Sequence, residues 1–141
     1  MSAEVKKALG DKIGEGDRVI TALTASKCGT YVFAGFNDRM VVCWDRNSKK
    51  VLAHSLLKKR AGGAVSTVYK GKQVLYVLDK SGDILVADGL KMEKWSLIGG
   101  HTASVITDML IMEEGNLFIS CDRDEKIRVC ACPAIYTIVN Y

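Results

Sequence analysis

An all-β fold, made of about three four-stranded blades of an incomplete propeller of about seven blades, is what the sequence predicts, and three observations predict it. The chain repeats itself: Met40–Trp44, Asp83–Ala87 and Lys126–Cys130 are short apolar segments in one register, with Val41, Ile84 and Ile127 spaced 43 residues apart. An earlier set, Tyr31–Phe33, Val74–Tyr76 and Leu117–Ile119, keeps that register without gaps. Between the sets stand Phe36–Arg39, Asp79–Gly82 and Asp122–Glu125, which supply turn-forming Asp, Asn, Ser and Gly. A period of about 40–45 residues with about four short strands in each is the mark of propeller blades. No segment carries the periodicity of a long amphipathic helix.

In chain order, residues 1–17 read as a leader, followed by blades at 18–60, 61–103 and 104–141. The leader mixes Lys6, Lys7 and Lys12 with acids and glycines and has no apolar stretch of a signal peptide. The middle strands of each blade are continuous apolar runs, as in sheets covered on both faces. The third blade is legible strand by strand: Val105–Met112, Leu117–Cys121, Lys126–Cys130 and Ile135–Val139. Turns at Glu113–Asn116, Asp122–Glu125 and Cys132–Ala134 separate them, and Pro133 falls in a turn, where its missing N–H costs nothing. This blade stops five residues short of a full period. The chain therefore reads as a fragment, a short isoform or a truncated gene model, with open sheet edges and uncovered apolar faces.

The third repeat also carries a polar signature. Gly100-His101 precedes its first strand, Ser120 ends its second, and Asp124 sits in the following turn. Cys130 stands where Trp44 stands in the first repeat, and Trp44-Asp45 is a literal Trp-Asp pair. This arrangement resembles the WD repeat. The resemblance implies that His101, Ser120 and Asp124 belong to a buried hydrogen-bond network that fixes one loop geometry, not to a catalytic site.

Composition narrows the function. Hydrophobic residues make up 48% and charged residues 26%, a globular balance, and no apolar run approaches the length of a membrane helix. With an odd count of cysteines, Cys28, Cys43, Cys121, Cys130 and Cys132, and no signal peptide, reduced thiols in the cytosol or nucleus are expected. The net charge of +4 permits contact with RNA without arguing for it. The basic runs are Lys49-Lys50 and Lys58-Lys59-Arg60, both expected on solvated rims, with contact between the second and RNA left open.

Catalytic chemistry finds no support. Cys121 and His101 form the only formal nucleophile–base pair, and both are accounted for as blade residues. The spacing of Cys121, Cys130 and Cys132 matches no zinc site. Gly14-Glu15-Gly16 and Gly99-Gly100 fit neither a P-loop nor a dinucleotide fingerprint. No catalytic residue, metal or cofactor is assigned.

The unusual feature is the run Asp122-Arg123-Asp124-Glu125-Lys126-Ile127-Arg128. Strand alternation puts Lys126 and Arg128 on one side and Ile127 and Val129 on the other. Alternating charges on a rigid hairpin suit a partner of matched charge. Residues Ile119 to Val129 closely resemble the signature of the WD-repeat, non-catalytic subunits of tRNA (guanine-N7)-methyltransferase. Val74–Asp83, Gly100-His101, Pro133 and Tyr136–Ile138 extend the resemblance over roughly residues 30–141. Cys130 departs from it, standing where a small polar residue is common.

The resemblance implies a subunit that does no chemistry itself. It would form a heterodimer with the catalytic tRNA (guanine-N7)-methyltransferase subunit and stabilise it. That partner uses S-adenosylmethionine to form N7-methylguanosine in tRNA, and tRNA would be held mainly through the complex. Glu125, Lys126 and Arg128 would meet the partner, with Arg123 and Asp124 supporting the turn. A nuclear location, or a nuclear and cytoplasmic one, is implied, with no membrane. The alternative is a generic WD-repeat scaffold for another protein complex.

Overall fold

The computed structural model describes residues 18–100, 105–112, 116–131 and 138–140. They form three antiparallel four-stranded sheets, each taken from one continuous stretch of chain. The first sheet holds β1 (Ile20–Ala25), β2 (Tyr31–Phe36), β3 (Met40–Asp45) and β4 (Lys50–Leu56). The second holds β5 (Ala61–Tyr69), β6 (Lys72–Asp79), β7 (Asp83–Asp88) and β8 (Ser96–Gly100). The third holds β9 (Ile106–Met112), β10 (Leu117–Asp122), β11 (Ile127–Ala131) and β12 (Ile138–Asn140). In every sheet the strands neighbour one another in chain order. Among the described residues there is no helix, and so none long and apolar enough to cross a membrane.

These are the blades that the 43-residue repeat predicts. Differences occur at the ends. β11 begins at Ile127, one residue after the expected Lys126, and the last strand is described from Ile138 only. The leader 1–17, His101, and the turn with Cys132 and Pro133 lie outside the described residues.

The sheets pack side by side. β5 lies against both β1 and β9, so the first strands of successive blades are neighbours. Phe33, Val41, Cys43, Leu75 and Val77 fill the layer between the first and second sheets. Tyr76, Leu78, Ile84, Ile106, Met109, Phe118 and Cys130 fill the layer between the second and third. There the Tyr76 and Phe118 rings meet with centroids 5.5 Å apart. The second sheet is thus apolar on both faces because both are covered, as its unbroken Val74–Leu78 run requires.

Repeat-equivalent positions show what a neighbour does. Val41 is 1% exposed and Ile84 3%, each under the next sheet, whereas Ile127 is 58% exposed. Leu110 and Met112, on the same face of the third sheet, are also exposed. Close approach also constrains the backbone. A Cβ on Gly35 would lie 2.5 Å from the Cβ of Ala61 across the first interface, so only glycine fits there.

Candidate functional site

The charged residues lie in the turn between β10 and β11, and a buried carboxylate shapes that turn. Asp122, 8% exposed, ends β10. Its Oδ1 accepts hydrogen bonds from the backbone N–H groups of Asp124 at 2.9 Å and Lys126 at 3.1 Å. The Asp122 N–H donates to the Lys126 carbonyl at 3.0 Å, and the Arg123 N–H donates to the carbonyl of Val105 at 3.1 Å. Glu125 completes the turn in the left-handed region, with φ 64°. An aspartate followed by tight, left-handed backbone is a recurrent way to hold a hairpin.

The second sheet repeats the device. Asp79 Oδ1 accepts from Ser81 N at 2.7 Å and Asp83 N at 3.2 Å, and Gly82 takes φ 83°. In the first sheet Phe36 occupies the aspartate's place. There Asp38 accepts from Met40 N at 3.1 Å and pairs with Arg18 at 2.6 Å, while the Arg18 guanidinium sits 5.5 Å over the Phe36 ring. All three turns are tied to the segment leading into the first strand of their own blade. Asn37 N donates to Val19 O at 3.0 Å and Lys80 N to Arg60 O at 3.1 Å, matching the Arg123–Val105 bond. The three turns and Lys58–Arg60 therefore share one end of the blades. Lys49, in the β3–β4 turn, and Lys50, at the start of β4, lie at the opposite end.

The structure brings Arg123, Asp124, Glu125 and Lys126 together as one exposed group. Arg128 is set apart from them. It is half-buried and pairs across the sheet with Ser120, on the face that Phe118 and Cys130 turn toward the second sheet. Burial pushes the Cys130 thiol above its ordinary range, with the Arg128 charge partly opposing it. Ser120 is buried. Asp124 is corrected as a member of the buried polar network: its side chain is exposed, and the buried carboxylate is Asp122, two residues earlier. The physical reason is the turn itself, which needs an acceptor at its first residue, facing back toward its own N–H groups. The recurrence of aspartate at 79 and 122, one period apart, was the available signal for it.

Of the formal pair Cys121 and His101, only Cys121 lies among the described residues. Cys121 Sγ lies 3.5 Å from Thr107 Oγ1 and 3.8 Å from the Asp108 carbonyl. Burial, with the nearby Asp45 charge, pushes Cys43 up to about 12. Among the described residues no group of three or more His, Cys, Asp or Glu side chains stands together to hold a metal.

The WD domain, G-beta repeat, matches residues 10–45 and 93–130, just over half of the chain and including the charged hairpin. The chain is 25% identical over 140 residues to the tRNA (guanine-N(7)-)-methyltransferase non-catalytic subunit WDR4 of Bos taurus, covering 99% of this chain and 33% of that one. It is 34% identical over 128 residues to the subunit of the same description, wuho, of Culex quinquefasciatus, covering 89% of this chain and 29% of the relative. The chain thus spans about a third of the length of these curated relatives. Among solved structures, the β-propeller domain of Myceliophteria thermophila Cps50 (Swd1) superposes with a TM-score of 0.70 at 14% identity, over 86% of this chain and 40% of that one. That likeness is one of fold.

Proposed function

The chain belongs to the WD-domain, G-beta-repeat family, and from that membership we propose that it acts as a non-catalytic subunit, binding and stabilising the catalytic subunit of a tRNA (guanine-N7)-methyltransferase in a heterodimer. The observation that carries the reading is the similarity, over nearly the whole chain, to relatives described as non-catalytic subunits of that enzyme. The hairpin supplies a physical route. Its four exposed charges, two acids flanked by two bases, sit on a turn held by Asp122, so a partner of complementary charge would meet them with little ordering cost. In this reading the partner forms N7-methylguanosine, tRNA is held through the assembled complex, and the complex works in the nucleus.

The test is binding of the catalytic subunit to the chain and to two charge-reversed forms. Lys126→Glu is expected to weaken the pair by about 2–5 kcal/mol, as loss of a desolvated charge partner does. The double reversal of Lys49 and Lys50, at the other end of the blades, is expected to leave affinity unchanged. Arg128→Glu is a less clean probe, because the half-buried Arg128 also faces the second sheet. Equal weakening by the Lys49 and Lys50 control, or no response to Lys126→Glu, refutes the assignment of the hairpin. Absence of any association with the catalytic subunit refutes the function.

A further inference from the structure

A groove of about 380 Å³ opens between the first and second blades, lined by Leu56, Leu57, Trp95, Leu85 and Leu97. Leu56 is 57% exposed and Leu97 65%. Trp95 forms a fixed wall, because its indole N–H donates to Ser55 Oγ of the neighbouring blade at 3.0 Å. That bond holds the indole ring against the first blade.

The rim is cationic. Lys58, Lys59 and Arg60 follow β4 at this edge, and all three are exposed. Two carboxylates face them, but neither neutralises the rim. Asp79 is buried and engaged with the backbone of Ser81 and Asp83. Asp83 meets Lys59 only at 3.8 Å, with both side chains about half exposed. A loose, solvated pair of this kind contributes little and is readily exchanged. Among the described residues, Lys58 and Arg60 have no ion pair.

We propose that this groove binds a short, acidic peptide segment of a partner protein, with one large apolar side chain seated between Leu56, Leu97 and Trp95 and flanking carboxylates on Lys58 and Lys59. The apolar lining decides between a peptide and a nucleic-acid backbone. Phosphates would use the lysines and leave the two leucines in water, whereas a Leu or Phe side chain covers them and gains their burial. The site is separate from the charged hairpin on the third blade, so it serves a second contact or a second partner.

The experiment uses the 141-residue chain and three fluorescein-labelled probes. The first is a set of octapeptides of Asp and Glu with a single central Leu, Phe or Trp. The second is the same set with the central residue replaced by Ser, and the third is oligo-uridine RNA of equal charge. Fluorescence anisotropy is expected to show saturable binding of the first set and at least about tenfold weaker binding of the Ser set. Leu97→Asp and the double reversal of Lys58 and Lys59 to Glu are each expected to weaken the first set by about tenfold or more. Both variants change exposed side chains, and circular dichroism checks that their sheets persist. Binding of RNA in preference to every peptide overturns the proposal. So does failure of all apolar peptides to bind, or binding unaffected by both variants.

Discussion

Asp122→Ala tests whether one buried carboxylate holds the charged hairpin. Its Oδ1 accepts two backbone N–H groups, at 2.9 and 3.1 Å. A hydrogen bond to a charged group contributes about 1.5–3 kcal/mol net. Asp124 and Lys126, the donors, lie in an exposed turn, so water recovers part of each bond when the carboxylate is lost. The lower end of the range applies to both, and a loss of about 2–3 kcal/mol is expected. Asp122→Asn keeps an accepting oxygen but not its charge, and about half that loss is expected. Asp88→Ala is the control, since Asp88 Oδ1 accepts from the single N–H of Leu90 at 3.0 Å. Urea unfolding followed by circular dichroism gives the stabilities. Amide hydrogen exchange then reports whether Asp124 and Lys126 lose protection specifically. A loss under about 0.5 kcal/mol, the scale of an ordinary surface change, or unchanged exchange at those two amides, refutes the reasoning.

Other outcomes follow from the same geometry. Glu125 holds φ 64° where the second sheet has Gly82 at φ 83°; Glu125→Gly is expected to be neutral or to stabilise by up to about 1 kcal/mol, and Gly82→Ala to destabilise by about 1 kcal/mol, both read by urea unfolding. Hydrogen bonding by Ser26, at 3.3 Å, and then by Thr30 lowers the exposed Cys28 thiol to about 7. A lowered thiol is more ionised at neutral pH, so iodoacetamide at pH 7 should label Cys28 well before the buried Cys43, and Ser26→Ala should shift the Cys28 labelling profile to higher pH. A profile that does not move would count against the hydroxyl as the cause. The exposed face of Ile127, Leu110 and Met112 should make the chain associate as its concentration rises. Sedimentation of Ile127→Glu should show weaker association, and a concentration-independent native monomer would contradict this.

What the sequence determined by itself is the architecture. A 43-residue register in apolar strands and turn residues admits one local solution, four short strands per repeat, because strand pattern and turn chemistry are both local signals. The charged hairpin was legible for the same reason, since Asp122 to Arg128 is one continuous segment. Tertiary structure decided matters that depend on what lies opposite. It left Ile127 in water while burying its equivalents Val41 and Ile84, since burial requires a neighbouring sheet that a strand's own residues do not specify. It separated Arg128 from Lys126, placing one on the face toward the second sheet and the other in the turn. It also moved the buried acid from Asp124 to Asp122, two aspartates that composition cannot distinguish but hydrogen-bond geometry does. The groove of Leu56, Trp95 and Leu97 is tertiary throughout. Its walls come from residues about 40 positions apart, joined by the Trp95–Ser55 bond, and no local pattern brings such residues to one place.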